Sequence, residues 1–281
     1  MREKCIRACF AATAAISIAA TLLICAFLLV NGVPTMAKVG LFDFLLGTTW
    51  RPENNLYGIA PMIVGSIYVT AGALLVAVPA GLLCAVFLSC FAGARFGGIL
   101  GAGVELLAGI PSVMYGFFGL VVIVPCIRGL GVGNGMSIIS ASLILGVMIL
   151  PTVVTVSRNA LDAVPASYYE GALALGMDHE HAVYKVVVPA ASSGIATSIV
   201  LGLGRALGET MAVVMVAGNN PAFPNSLFSG VRTLTANIVL EMGYATGMHR
   251  EVLIATGVVL LVFILLVTLL LNAIREKGEV K

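Results

Sequence analysis

The stretch EGALALGMDHEHAVYKVVVP, residues Glu170 to Pro189, is a polar island in an otherwise apolar chain. Its first part is rich in alanine, leucine and glutamate, which predicts a short helix. Gly176 can end that helix by taking a positive φ. Asp178 then predicts the N-cap of a second short helix, and Pro189 opens the apolar stretch that follows. Two short helices joined at an angle make a rigid knob able to fill a groove on another protein.

On either side of this island the chain reads as membrane-embedded. Of its 281 residues, 60% are hydrophobic and 10% charged, with a mean hydropathy of +1.09. Soluble domains are about a quarter charged, so the composition predicts an all-α polytopic membrane protein. Six stretches are long enough to cross a hydrocarbon core about 30 Å thick. They fall near 9–31, 61–90, 98–127, 134–156, 191–218 and 252–274. Pro79, Pro111 and Pro151 lie inside them and predict kinks. The first stretch is longer than the apolar region of a signal peptide, about 7–15 residues, and reads as a retained helix.

With six spans both termini share a side. Arg2, Lys4, Arg7, Arg275, Lys277, Lys281, Arg95, Arg158 and Lys185 lie there, against Lys38, Arg51, Arg128, Arg232 and Arg250 opposite. That bias predicts a plasma-membrane protein with residues 1–8 and 275–281 in the cytoplasm. The loop at 157–189 becomes cytoplasmic, and the loops at 32–60 and 219–251 face outward. Trp50, the single tryptophan, is expected to anchor at the membrane interface. Cys5, Cys9, Cys25, Cys84, Cys90 and Cys126 form no CxxC pair and read as buried, reduced thiols. His179, His181 and His249 are too scattered to predict a metal site.

The 170–189 island resembles the signature loop of ABC importer permeases, E-A-A, three residues, G, nine residues, I-x-L-P. Glu170, Ala172, Gly176 and Pro189 match in register. Gly171 replaces the first alanine, and Val186 and Val188 hold the aliphatic positions. Glycine there weakens a helix by about 1 kcal/mol relative to alanine. Residues 105–125, 201–213, 233–243 and 40–66 extend the likeness to the phosphate importers of that family.

The resemblance implies a type I ABC importer permease fold, with a transmembrane core over 61–274 and a cytoplasmic coupling helix within 157–189. It further implies that Glu170, Gly171, Ala172, Gly176 and Pro189 dock on a separate ATPase. The implied assembly contains two copies of that ATP-binding subunit, a sister permease and an extracytoplasmic phosphate-binding protein. None of the five lysines follows a glycine, so no P-loop exists. ATP and Mg2+ would therefore belong to the partner, with no cofactor and no catalytic residue on this chain.

LGLGRALGETMAV, residues 201–213, places Arg205 and Glu209 in the fifth span. On a continuous helix the two lie about 40° apart and can pair, sharing a face with Ser198, Ala212 and Val216. Gly204 and Gly208 flank that face at small-xxx-small spacing, which predicts close approach of a neighbouring helix. Two readings stand side by side. Either the pair is an interhelical tie, or Arg205 offers its planar fork to a passing oxyanion while Glu209 offsets its charge. Glu105, near the inner end of the third span, is either an interfacial carboxylate or a pathway element. Alternatives to a phosphate permease are a sulfate or molybdate permease, the sister permease of the phosphate importer, and an autonomous carrier or channel. No internal inverted repeat supports the last.

Overall fold

The computed structural model describes residues 2–279, with the side chains of residues 1–5, 8, 94 and 274–281 outside the described set. Arg2, Lys4, Arg275, Lys277, Lys281 and Cys5 therefore lie outside the described side chains. Five helical stretches are long and apolar enough to cross a membrane: Cys9–Val39, Ala60–Phe91, Ser112–Gly129, Ile138–Asp162 and Gly247–Ala273. A bent pair, His179–Ala190 and Ser192–Gly208, turns by 65° and is apolar enough to make a sixth if the two count as one span. The all-α polytopic architecture is as the composition predicts.

Ile138–Asp162 is the axis of the bundle. It packs against Ala60–Val86 on one side and Ser192–Gly208 on another. Val69, Ala73 and Ala77 meet Ile144, Leu145, Met148 and Ile149 in a fully buried seam. The helices come this close because small residues line the contact: a Cβ on Gly81 would lie 2.8 Å from Val153 Cγ1. The first helix, Arg2–Val39, rests against the last helix, Gly247–Glu279, at the rim of the bundle. It runs past the expected boundary at 31, because Gly32 packs onto Ala255 and Val258 instead of ending it. The loop thus begins at Gly40, whose φ of 96° turns the chain into Leu41–Leu46.

Pro79 and Pro151 sit inside helices that continue through them. Pro111 does more than kink its span. Proline disfavours helical backbone at the residue before it, and Ile110 is extended with ψ of 128°. The expected span at 98–127 is therefore two helices, Ala94–Gly109 and a second that starts at Ser112. All described cysteines are free, but Cys9 and Cys126 lie on exposed helix faces, so those thiols are not buried within the chain.

At the end of the bundle away from residues 163–190, the chain forms a small cap. Trp50–Arg51 pairs with Leu56–Tyr57 as an antiparallel hairpin, and Leu234–Met242 is a short helix capped by Thr233. Glu241, only 6% exposed, knots these pieces together. Trp50 Nε1 donates to both its oxygens at 2.9 and 3.1 Å. His249 Nε2 lies 2.8 Å from the same carboxylate, and Arg232 forms an ion pair with it. Arg232 also donates to Asn237 Oδ1 and to the Asn219 carbonyl, both at 3.0 Å. Trp50 is thus not an interfacial anchor: it is 6% exposed, with its indole N–H committed to Glu241.

Breaking a buried ion pair from one side costs about 3–5 kcal/mol, against about 1.5–3 kcal/mol for a hydrogen bond to a charged group. Glu241→Gln is therefore expected to lower the thermal unfolding midpoint of the purified protein in detergent more than Trp50→Phe does. Equal midpoints for the two variants would contradict the knot.

Candidate functional site

Two spans break at neighbouring places. In one, Ala94–Gly109 ends, Ile110 and Pro111 are extended, and Ser112–Phe118 resumes. Tyr115 bridges this break, its hydroxyl donating to the Leu107 carbonyl at 2.7 Å. The same carbonyl also accepts the Ile110 N–H at 3.2 Å, so two donors close the end of the interrupted helix. In the other, Ser192–Gly208 ends and Met211–Val216 restarts after Glu209 and Thr210. The two resumed segments pack side by side, and a Cβ on Gly116 would come within 2.9 Å of Ala212 Cα. Non-helical backbone within a membrane needs such cover from neighbouring protein.

This second break overturns the expected Arg205–Glu209 pair. Glu209 is extended with ψ of 136°, so the helical spacing that would bring the two residues together stops at Gly208. Among the described residues no ion pair joins them. Glu209 instead serves the backbone. Its Oε1 accepts from the Ala212 N–H at 3.1 Å, and its carbonyl accepts from Thr235 Oγ1 at 3.0 Å. Arg205 projects from the last helical turn, exposed, with Nη1 donating to Thr152 Oγ1 at 3.3 Å. Its remaining N–H groups meet no acceptor among the described residues. A guanidinium so placed can take an oxyanion in two parallel hydrogen bonds.

Of the residues expected to share its face, Ser198 is buried and bonded to Ser157 Oγ at 2.8 Å. Gly204 and Gly208 face open space, so the predicted close approach there is not made within this chain. The glycines of this helix that pack are Gly194, whose Cβ would meet Ala160, and Gly202, whose Cβ would lie 3.3 Å from Val153 Cγ2. Glu105 is exposed and has no contact with Arg205 among the described residues. It lines a cavity of about 240 Å3 together with Gly101, Thr155, Arg158, Asn159 and Asp162.

The 170–189 island folds as its sequence predicts through Asp178. The second helical arm, however, runs from His179 past Pro189 to Ala190, so the next span opens at Ser192 after the bend and not at Pro189. Ala166–Ala174 is a helix, Gly176 has φ of 88°, and Asp178 caps His179–Ala182 by accepting from the His181 N–H at 2.7 Å. That bond, with a second from the His181 ring, holds the Asp178 carboxyl below the ordinary carboxylate range. Glu170, Gly171, Gly176 and Pro189 are exposed, and Ala172 is buried beneath them. Tyr168, Leu173, Leu175 and Met177 are also exposed, Leu175 at 84%.

Contacts that sequence reading did not find fix this knob to the bundle. Tyr169 shares a hydrogen bond of 2.8 Å with His179 Nδ1, and Phe91 packs edge-on against His179 with ring centres 4.8 Å apart. Ser89 donates to Asp162, which terminates the axial helix. Phe91 and Ser89 belong to the π-helical turn Phe87–Phe91 that ends the second long helix. Their partners lie 73 or more positions away, and no local pattern marks them.

Comparison with known proteins gives this arrangement its context. A family model described as "Binding-protein-dependent transport system inner membrane component" matches residues 77–277. The "Probable ABC transporter permease protein YqgH" of Bacillus subtilis is 40% identical, covering 96% of this chain and 89% of that one. The "Phosphate transport system permease protein PstC" of Haemophilus influenzae is 35% identical, covering 84% of this chain and 82% of that one. Among solved structures, a permease chain of the MetNI methionine ABC transporter in an inward-facing conformation aligns with a TM-score of 0.60. It shares 21% identity over 82% of this chain and 99% of that one, a likeness of fold. The family match, the identity to these permeases and the shared helical fold agree, and the chain belongs to the family of binding-protein-dependent transport system inner membrane components.

Proposed function

We propose that this chain is the permease subunit of an ATP-driven inorganic phosphate importer. The observation that carries this reading is Arg205, a guanidinium beside a broken span whose N–H groups, apart from one bond to Thr152, meet no acceptor among the described residues. Its likeness to phosphate permeases, at 34–35% identity over most of the chain, supplies the anion. In this reading both termini and the 163–190 knob face the cytoplasm, while the Glu241 cap faces outward.

The partners are two copies of an ATP-binding subunit, a sister permease of the same importer, and an extracytoplasmic phosphate-binding protein. ATP and Mg2+ act in the ATP-binding subunits, since this chain offers no P-loop. The exposed apolar tip formed by Tyr168, Leu173, Leu175 and Met177 suits the groove of such a subunit. A push on the tip reaches the bundle by two routes. One runs through His179 to Phe91, and the other through Asp162 to Ser89, both ending on the second long helix.

The chain's chemistry is recognition without bond breaking. Arg205 stays charged when partly desolvated and matches two oxygens of a phosphate at once. Thr152 Oγ1 steadies the guanidinium by accepting from Nη1. Glu209 holds the restart of the broken helix by taking the Ala212 N–H, which leaves Arg205 free of a direct counter-ion. A hydroxyl partner is a weaker competitor than a carboxylate, so an arriving anion displaces little. Sulfate and molybdate present the same tetrahedral oxygens, and competition against labelled phosphate separates these readings.

Arg205→Gln is expected to lower labelled phosphate uptake by the reconstituted transporter about 10–100-fold, the value of about one charge-assisted hydrogen bond. Arg205→Lys should fall between, because it keeps the charge and loses the fork. Uptake by Arg205→Gln at the wild-type rate would remove Arg205 from the pathway. At the knob, Leu175→Glu is expected to abolish co-purification of the ATP-binding subunit while the permease pair remains assembled. Gly176→Val, which forces a β-branched residue to φ of 88°, should weaken the same capture. Undiminished capture in both variants would move the docking surface elsewhere.

A further inference from the structure

Arg158 is a second arginine that the protein engages only in part. It lies on the axial helix Ile138–Asp162, with Nε 3.6 Å from Asp162 Oδ2 and its side chain 36% exposed. Its two Nη groups meet no hydrogen-bond acceptor among the described residues. Arg158 lines the cavity of about 240 Å3 together with Gly101, Glu105, Thr155 and Asn159. The cavity exists partly because residue 101 has no side chain: a Cβ there would stand 3.0 Å from Arg158 Nη1. The guanidinium thus lies over the backbone of Ala94–Gly109, open to the cavity.

The position of this site relative to Arg205 follows from one helix. Thr152, which holds Arg205, Thr155, which lines the cavity, and Arg158 succeed one another on Ile138–Asp162. At 1.5 Å per residue, Arg158 lies about 9 Å further along the axis, towards the 163–190 end. Thr155, Asn159 and Arg158, which carry hydroxyl, amide and guanidinium donors, line one small space. The space also holds two carboxylates. Asp162 is engaged by Ser89 and Arg158, while Glu105 has no partner among the described residues.

We propose that Arg158, with Thr155 and Asn159, forms a second tetrahedral-oxyanion subsite, a release station for phosphate leaving Arg205. This rests on the phosphate-permease reading. The carboxylates of Glu105 and Asp162 keep the station weak, which a pathway needs if the anion is to depart.

The test uses the complete transporter in proteoliposomes, with uptake of labelled phosphate measured against rising unlabelled phosphate on the side the 163–190 knob faces. That phosphate reaches the release station first and inhibits uptake by occupying it. Arg158→Gln is expected to raise the half-inhibiting concentration about tenfold, and Arg158→Lys, which preserves the charge, severalfold. Glu105→Gln and Asp162→Asn are expected to lower it, because each removes a repelling charge. If Asp162→Asn raises it as Arg158→Gln does, the arginine only ties the helix end and the subsite is refuted. The subsite is equally refuted if Arg158→Lys, assembled and ATP-hydrolysing, is inhibited as the wild type is. A wild-type transporter that takes up no phosphate would overturn the parent reading and the subsite together, whereas normal wild-type uptake with indifferent variants overturns the subsite alone.

Discussion

Inside a bilayer a polypeptide cannot leave its N–H and C=O groups unsatisfied, and the organisation of this protein follows from where it departs from helix despite that rule. The departure at Glu209 and Thr210 is met locally. The Glu209 side chain takes the Ala212 N–H, and its carbonyl takes the Thr235 hydroxyl. Because Glu209 is occupied in this way, it is not the counter-ion of Arg205. The arginine is left with one threonine contact and an open face. The backbone break thus fixes both the shape of the site and its charge.

The same break connects the site to the rest of the molecule. Thr235 belongs to the short helix Leu234–Met242, which the Glu241 knot joins to the hairpin and to the start of the last helix. Arg205 lies on Ser192–Gly208, the straight arm that follows the 65° bend after the knob. A displacement at the knob and a displacement at the cap therefore converge on the two sides of one interrupted span. In the proposed transporter this is the mechanical basis for exposing the arginine first to one side and then to the other.

What the sequence reveals divides by distance along the chain. The knob was legible because its determinants are local: Gly176 at a positive φ and Asp178 three residues before the amide it caps. The break at Pro111 was half legible, as a kink, since proline acts on the residue before it whatever the surroundings. The break at Glu209 was not. Spacing of four residues reads as a helical pair unless something removes the helix, and what helps to remove it is Thr235, which lies 26 positions further on. The Glu241 knot was invisible for a stronger form of the same reason, since its tryptophan stands 191 positions away. Trp50 looked like an interfacial residue because nothing near it in sequence offers a buried acceptor.

Transport, as proposed, depends on the broken fifth span presenting Arg205, unpaired by Glu209, to a passing phosphate. The most direct measurement is a structure of the assembled transporter trapped with phosphate between its two permeases. The anion is expected on the Arg205 guanidinium, with Glu209 still turned to the Ala212 amide. An occupied pathway in which Arg205 pairs with Glu209, or lies apart from the anion, would contradict this mechanism.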